Sequence, residues 1–174
     1  FKFKCPKPII DKNGNYVSEI QKKKATVVSF IQGDVKKNLS PVNCFDIGVE
    51  TAKLHKITKN LSLKRKNNLS INNWNKIFKK IEKDCSKIHK NLPKIIESSL
   101  KEIEKNWPKN LPFGIIHSDL FPDNILFKQE KLSGIIDFYF SCNDYYAFEI
   151  AVCLNALCFD GLKQNLSFNV TKAK

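Results

Sequence analysis

Apolar residues recur at helical spacing through the middle of the chain. Between residues 41 and 57 one stripe is formed by Val42, Phe45, Val49, Ala52 and His55. This spacing predicts an amphipathic helix in which His55 is a packed residue and not a ligand. Helices are also predicted over residues 71–88, with Ser70 as N-cap, over residues 92–107, and over residues 145–159.

Short apolar runs between turn residues predict two groups of strands. Near the N-terminus, residues 8–10 and 16–20 flank Asn13-Gly14, which predicts a hairpin, and residues 25–31 predict a third strand. The three lysines at 22–24 are predicted to lie in a solvated turn. Further along, residues 125–127 and 134–136 flank the polar residues 128–131 and predict a second hairpin.

Composition limits the classes of protein to which the chain can belong. A length of 174 residues with 42% hydrophobic content predicts one globular domain. We expect no membrane span, because no run of 18 apolar residues exists, and neither a zinc site nor a disulfide framework, because the six cysteines include no Cys-x-x-Cys pair. These features predict a cytoplasmic protein with reduced thiols.

The net charge of +13 raises nucleic acid and anionic membranes as partners. The excess is almost entirely lysine spread along the chain, and base recognition favours arginine, of which Arg65 is the one example. We therefore expect neither nucleic acid nor membrane as a partner. A non-catalytic basic binding module remains the alternative from a different class, and it rests on charge alone.

Three polar residues around the second hairpin have the spacing of a phosphoryl-transfer site. Asp119 can accept the proton of an attacking hydroxyl, Asn124 follows five residues later, and Asp137 follows the second apolar run. Amide and carboxylate oxygens are ligands that Mg²⁺ shares with phosphate groups. A hairpin between Asn124 and Asp137 brings both to one end. The sequence therefore predicts a kinase that uses ATP and Mg²⁺.

Neighbouring residues have predicted supporting parts. His117 lies two residues before Asp119, where its ring can hydrogen-bond the backbone near Asp137. Ile125, Phe127 and Ile136 are predicted to lie under a flat purine. Each polar residue alone is typical of an ordinary turn, and Asp123, beside a proline, is assigned to that class. The four matched positions at the kinase spacing favour chemistry over that interpretation.

The chain resembles a known family at these residues. The segments that carry the resemblance are His117-Ser-Asp-Leu-Phe-Pro-Asp-Asn-Ile-Leu-Phe127, Leu132-Ser-Gly-Ile-Ile-Asp-Phe-Tyr-Phe-Ser-Cys-Asn-Asp144 and Glu149-Ile-Ala-Val-Cys-Leu-Asn-Ala-Leu-Cys-Phe159. They resemble bacterial homoserine kinase of the aminoglycoside phosphotransferase type. The tyrosine at position 139 favours homoserine kinases over the rest of the superfamily, because most of the other relatives have glycine after Asp-Phe.

The resemblance implies an α+β class and a protein-kinase-like fold. Residues 1–33 would be a remnant of the N-terminal β lobe with its hinge, and residues 34–174 a mostly helical C-terminal lobe with a catalytic β-hairpin. The implied reaction is ATP-dependent phosphorylation of the side-chain hydroxyl of L-homoserine to O-phosphohomoserine, a step towards threonine. Choline and aminoglycoside kinases of the same superfamily are the alternatives within enzymes.

Residue roles follow from the same resemblance. It implies that Asp119 is the catalytic base and that Asn124 and Asp137 bind magnesium. Phe30, Ile31 and Gln32 fall in a segment similar to the nucleotide-binding hinge. Glu149 falls where many relatives have an aspartate that supports the catalytic loop, so we expect it to brace that loop together with His117.

A zwitterionic acceptor needs an acid for its ammonium group and a cation for its carboxylate. We predict Asp144 as the acid and Arg65 as the cation, since a planar guanidinium suits a carboxylate better than a lysine does. A solvated surface role for Arg65 is the alternative.

The chain has no methionine, no glycine-rich phosphate loop and no strand-borne lysine of the kinase type. We therefore expect a fragment of a longer enzyme, with little turnover in isolation. Its oligomeric state is left open.

Overall fold

A computed structural model describes residues 3–161 and 165–174, and this part of the chain contains five α-helices. They are α1 (Pro41–Thr58), α2 (Ile71–Ile88), α3 (Leu92–Asn106), α4 (Tyr146–Leu157) and α5 (Val170–Ala173). The first three are confirmed to within one residue of their predicted bounds. Helix α4 is shorter than the predicted helix over 145–159, since the chain enters a short strand at Phe159.

The strands of the described residues are short and pair antiparallel. They are β1 (Pro8–Ile9), β2 (Ser18–Ile20), β3 (Lys23–Ala25), β4 (Val27–Val28), β5 (Asp34–Val35), β6 (Phe113–Ile116), β7 (Ile125–Lys128), β8 (Lys131–Ile135), β9 (Cys142–Tyr145), β10 (Phe159–Asp160) and β11 (Ser167–Phe168). Three of them form the sheet β5-β7-β8, and the other pairs are β1-β4, β2-β3, β6-β9 and β10-β11.

The predicted N-terminal hairpin is wrong in its pairing. Strand β1 pairs with β4, whereas β2 pairs with β3. Gly14 does lie in a turn, with its N–H donating to the carbonyl of Asp11 at 3.1 Å. The Asp11 carboxylate accepts from the N–H groups of Asn13 and Asn15 at 2.8 and 2.9 Å. The side chain thus takes backbone donors that a two-residue hairpin would pair across strands.

The basic run at 22–24 is only partly a turn. Gln21 and Lys22 have positive φ angles and join β2 to β3, but Lys23 and Lys24 belong to β3. The third strand predicted over 25–31 is reduced to β4. The proposed division of the chain at residue 33 stays a prediction.

Helix α1 has the predicted bounds but buries a different face. The Ser40 hydroxyl caps it by accepting from the N–H of Asn43 at 3.2 Å, and the side-chain oxygen of Asn43 accepts in turn from the N–H of Ser40. The predicted stripe was wrong as a buried face, because Phe45 is 64% exposed and Val42 and Val49 are also exposed. The buried side chains are Asn43, Cys44, Ile47, Glu50, Thr51, Leu54 and Thr58.

Polar groups can occupy the buried face of α1 because they have partners on the helix itself or nearby. Thr51 and Thr58 donate to the carbonyls of Ile47 and Leu54 at 2.8 and 2.7 Å. The spacing of apolar residues gives no information about such hydrogen bonds. The main core forms where this face meets the β7–β8 hairpin and the end of α4. Its buried members are Leu39, Cys44, Ile47, Ile125, Phe127, Leu132, Leu157 and Cys158.

The hairpin predicted from the apolar runs at 125–127 and 134–136 is confirmed as β7 and β8. Ile125 lies opposite Ile135, and the N–H of Ile136 donates to the carbonyl of Asn124 at 3.0 Å. The residues that precede β7 and follow β8 therefore lie at the same end of the hairpin.

Helices α2 and α3 pack against each other beside this core. Ser70 occupies the N-cap position of α2, but its side chain makes no capping hydrogen bond, so the predicted cap is only positional. Trp74 of α2 meets Trp107 edge to face, with ring centroids 5.5 Å apart. None of the helices in the described residues is long and apolar enough to cross a membrane.

All six cysteines lie in the described residues and are unpaired. Burial raises the pKa of Cys44 to about 11 and that of Cys153 to about 12. Desolvation disfavours the thiolate, so these two groups are protonated thiols at neutral pH.

Candidate active site

The loop that carries Asp119, here called the catalytic loop after its predicted role, follows β6 and is held by one buried carboxylate. Glu149 of α4 is 0% exposed, and its two oxygens accept from the backbone N–H of His117 at 3.0 Å and of Ser118 at 2.7 Å. Ser118 has φ 69°, a left-handed conformation that a non-glycine residue adopts at a cost. The Glu149 bonds hold the loop in that conformation.

Helix α1 supplies a third bond to the same carboxylate. The Nε2 of His55 donates to Oε2 of Glu149 at 2.8 Å, and the His55 ring stacks on Tyr146 with centroids 4.1 Å apart. The sequence placed His55 correctly as a packed residue. Its bond to Glu149 was missed, because the two residues are 94 positions apart and only the packing of α1 against α4 joins them.

The His117 ring links the catalytic loop to the backbone that follows β8. Its Nδ1 accepts from the N–H of Asp119 at 3.3 Å, so the proton lies on Nε2, which donates to the carbonyl of Ile136 at 2.9 Å. Burial lowers the pKa of His117, because desolvation disfavours the charged ring. The predicted contact with backbone near Asp137 is therefore present.

Asp119 and Asn124 form a direct pair. The amide nitrogen of Asn124 donates to the Asp119 carbonyl at 2.8 Å and to its Oδ2 at 3.0 Å. Because both bonds use the nitrogen, the amide oxygen of Asn124 is left for another partner. Asn124 is buried and Asp119 half-buried, so the pair lies at the edge of the interior.

Asp137 lies at the same end of the hairpin, next to Ile136. It has φ 60° and ψ 67°, a left-handed conformation that aspartate tolerates better than most residues. Its Oδ1 accepts from the N–H of Tyr139 at 3.2 Å, and the side chain is exposed. The His117 ring donates to the carbonyl of Ile136, the residue before Asp137, and Asn124 at the same end of the hairpin donates to Asp119. The structure thus brings the backbone that carries Asp119, Asn124 and Asp137 to one end of the hairpin.

The donor set suits a hard cation that keeps other ligands. Asn124 and Asp137 offer an amide oxygen and a carboxylate, the ligand types that magnesium takes. No group of three or more His, Cys, Asp or Glu side chains among the described residues is arranged to hold a metal by itself. A metal here would need further ligands from water or phosphate, which is how magnesium binds beside nucleotides.

The residues predicted to bind the nucleotide fall into an accessible group and a group that is buried in the core. In the first group, Phe30 is 89% exposed. Ile31 is half-buried and packs so closely on Gly134 that a Cβ added to Gly134 would lie 2.6 Å from Ile31 Cδ1. Gln32 accepts from the Lys128 ammonium at 3.0 Å, which ties the predicted hinge segment to the hairpin. Ile136 is half-buried beside this end of the hairpin.

Phe127 belongs to the other group, because only 2% of it is exposed and it lies in the core against α1. Ile125 is buried in the same way. Leu126 is half-buried on the opposite face, near Gly33. The sequence analysis missed Leu126, although strand alternation around Ile125 and Phe127 carries that signal.

The two predicted acceptor residues are not brought into one site. Asp144 is 8% exposed, and its Oδ2 accepts from Asn67 at 2.7 Å. The Arg65 guanidinium instead donates to the Tyr139 carbonyl and lies over the Tyr139 ring. Arg65 and Asp144 line adjoining cavities that share Lys66, Phe113 and Asn143. Asn67 was missed, because an isolated asparagine in a polar linker gives no signal.

Comparisons with known proteins agree with this geometry. Residues 1–165 match the model of the phosphotransferase enzyme family, APH. The fold and site define a kinase-like phosphotransferase, and the chain belongs to this family. The α+β, protein-kinase-like fold predicted from sequence is confirmed by solved structures. Aminoglycoside-3'-phosphotransferase of type VIII aligns with TM-score 0.63 and 15% identity over 90% of this chain and 59% of that one. Amicoumacin kinase hAmiN aligns with TM-score 0.62 and 13% identity over 88% of this chain and 48% of that one.

Sequence relatives give a more specific similarity. The chain is 38% identical to homoserine kinase of Nitrobacter hamburgensis and 39% identical to that of Bartonella henselae, each over 170 residues. It is 41% identical to homoserine kinase of Xanthobacter autotrophicus. These alignments cover 98% of this chain and 51%, 52% and 52% of the relatives. The resemblance stated from the motifs is confirmed, and the chain spans about half the length of these relatives.

Proposed function

We propose that this protein transfers the γ-phosphoryl group of ATP to the side-chain hydroxyl of L-homoserine, giving O-phosphohomoserine for threonine biosynthesis. One observation carries the proposal. Asn124 donates to Asp119 at the end of the hairpin that leads to Asp137, in a chain that is about 40% identical to homoserine kinases over nearly its whole length. The acceptor comes from those relatives, and the reaction type from the family and the geometry.

Asp119 is the catalytic base in this proposal. Its carboxylate lies at the edge of the interior, where it can accept the proton of a bound hydroxyl as the oxygen attacks phosphorus. The bond from Asn124 to Oδ2 leaves Oδ1 for that hydroxyl and fixes the carboxylate plane. His117 and Glu149 position the loop backbone and need not touch the substrate.

Asn124 and Asp137 would hold magnesium through the amide oxygen and the carboxylate. Bound there, the ion would neutralise charge on the phosphates as the γ-phosphoryl group is transferred. The left-handed backbone at Asp137 directs its side chain away from the hairpin, towards solvent where a nucleotide would lie.

The nucleotide would lie between the hinge at Phe30, Ile31 and Gln32 and the end of the hairpin at Ile136. In this arrangement Phe127 supports the site through core packing, since its ring is buried. Asp144 would bind the ammonium group of homoserine. Arg65, the predicted partner of the carboxylate, donates instead to the Tyr139 carbonyl and lines an adjoining cavity. A cytoplasmic location fits a protein that uses ATP and a metabolite as substrates and has six unpaired cysteines.

A substrate panel tests the proposal. The product of the source gene is assayed for ATP consumption with L-homoserine, choline and aminoglycosides, with and without Mg²⁺, and Asp119→Asn serves as the blank. Magnesium-dependent turnover with homoserine alone is expected. Turnover with choline or an aminoglycoside but not with homoserine would reject the acceptor. Full activity in Asp119→Asn would reject the mechanism.

A further inference from the structure

A cavity of about 590 Å³ lies beside the β6-β9 sheet. One wall is the linker at Lys66 and Asn67 with the start of α2, and the other is β9 at Asn143 and Asp144. This volume is within the range of small-molecule sites. Trp107 also lines it, so the cavity combines an aromatic wall with charged and amide groups.

The cavity contains a buried carboxylate without an ion pair. Asp144 is 8% exposed, and its donors among the residues that the structure describes are neutral: the Asn67 amide at Oδ2 and the Tyr145 N–H at Oδ1, both at 2.7 Å. The salt bridges of the described residues do not include it. A buried charge without a counter-charge is costly, and a cationic ligand at this position would remove that cost.

The opposite charge lies on another wall of the same cavity. Lys66 and Lys76 both line it, and neither takes part in the salt bridges of the described residues. An anion in this cavity could therefore be paired without breaking an existing contact. Separated acidic and basic walls match the two charges of an α-amino acid.

The sheet connects this cavity to the catalytic loop. Asp144 lies opposite Gly114 on β6, and β6 leads two residues later to Ile116 and then His117. Asp144 is therefore about 10 Å along the strand from His117, the residue that opens the catalytic loop, at about 3.4 Å per residue. The side chain of a bound amino acid can extend in that direction, towards Asp119.

We propose that this cavity binds the charged end of an α-amino acid acceptor, with the ammonium group on Asp144 as oriented by Asn67 and the carboxylate on Lys66 and Lys76. The inference rests on the proposed function for the identity of the acceptor and goes beyond it in assigning three residues. Asn67 is a positioning residue, because it acts through Asp144. Arg65 lies outside this cavity and holds Tyr139 instead.

The test removes one charge at a time from the ligand and from the protein. Binding of L-homoserine, of γ-hydroxybutyrate, which lacks the ammonium group, and of aminopropanol, which lacks the carboxylate, is measured by calorimetry with a non-hydrolysable ATP analogue present. The wild-type protein should bind homoserine about ten- to one-hundredfold more tightly than either analogue, the range for one charge-assisted hydrogen bond.

The variants assign each preference to a residue. Asp144→Asn should remove the preference over γ-hydroxybutyrate and keep that over aminopropanol, and Lys66→Ala with Lys76→Ala should do the reverse. Asn67→Ala should weaken the ammonium preference only. Asp84→Asn and Lys80→Ala, exposed changes of the same kind on α2, are the controls and should keep both preferences.

The outcomes separate this inference from the proposed function. If the wild-type protein binds γ-hydroxybutyrate as tightly as homoserine, or Asp144→Asn keeps the ammonium preference, the inference is overturned whether or not ATP is consumed. If the binding preferences follow the expected pattern but no ATP is consumed with homoserine, the inference stands and the proposed reaction fails.

Discussion

The catalytic segment from β6 to α4 and the N-terminal segment from residue 3 to residue 33 differ in how they are held together. In the catalytic segment, side chains such as Ile116, His117 and Glu149 are fully buried, and their contacts join residues far apart in sequence. In the N-terminal segment no residue is buried, and Ile9 and Val27 are half or more exposed.

The difference shows where the order of this chain originates. The N-terminal strands are two or three residues long and depend on local bonds, such as those to the Asp11 carboxylate. The catalytic loop depends on one carboxylate that satisfies two backbone donors and a histidine from another helix. Changes in the catalytic segment should therefore affect both stability and rate, and matched changes in the N-terminal segment should have little effect on stability.

The largest effect is expected at Asp119. Asp119→Asn should lower kcat for homoserine phosphorylation by about one hundred- to ten-thousandfold, the usual contribution of a general base. The fold should be retained, because the amide can still accept the bond from Asn124. Steady-state kinetics measures the change, and Asp123→Asn, in the exposed turn nearby, is the matched control. A variant at Asp119 with near-normal kcat would contradict the assignment.

Core truncation tests the contrast in stability directly. Ile125→Ala should lower the free energy of unfolding by about 2–5 kcal/mol, because the side chain is fully buried in the main core. Ile9→Ala, the same change on an exposed strand, should stay within about 0.5 kcal/mol. Urea denaturation followed by circular dichroism measures both. Equal losses would show that the N-terminal segment is as well packed as the hairpin.

Glu149 should come next in size. Glu149→Gln replaces one of the two acceptor oxygens by an NH₂ group, which would face a backbone N–H of the catalytic loop. That N–H loses its acceptor, so the free energy of unfolding should fall by about 1–3 kcal/mol. kcat should fall with it, while the KM for homoserine changes little. Glu97→Gln on α3, which removes an exposed charge, should leave the denaturation midpoint unchanged. An unaltered kcat in Glu149→Gln would remove the bracing role.

The smallest effect is a pH dependence that originates at His117. Burial lowers its folded pKa below the unfolded value of about 6.5, so its contribution to stability is complete above that pH and is lost as the pH falls through the folded pKa. The stability difference between wild-type protein and His117→Asn should therefore shrink from about pH 8 to about pH 5. Urea midpoints across this range test it, with the exposed His89→Asn as control. A constant difference would contradict a buried neutral ring.

Periodicity was a good guide to helices and a poor one to the packing of their faces. The bounds of α1 to α3 follow from spacing and flanking residues, which are local properties. The face that α1 buries does not, because Asn43 and Thr51 satisfy their hydrogen bonds inside the fold and Phe45 is left exposed. The pairing of β1 with β4 could not be predicted from periodicity either, since it depends on the hydrogen bonds of the turn at Asp11.

The candidate site divides in the same way. The common end of Asn124 and Asp137 could be predicted from sequence, because the hairpin between them has a strong local signal. The His55 bond to Glu149 and the Asn67 bond to Asp144 link residues 94 and 77 positions apart. No local pattern predicts such contacts.

The amino-acid sequence by itself was enough to predict the candidate chemistry: a side chain to take a proton, two to hold a cation, and a hairpin that brings its two ends together. The tertiary structure decided which polar groups are buried, which of them have partners, and that no salt bridge of the described residues includes Asp144. The physical reason is range. Turn and strand preferences act within a few residues, whereas desolvation and hydrogen bonding of buried groups depend on elements that meet only when the chain has folded.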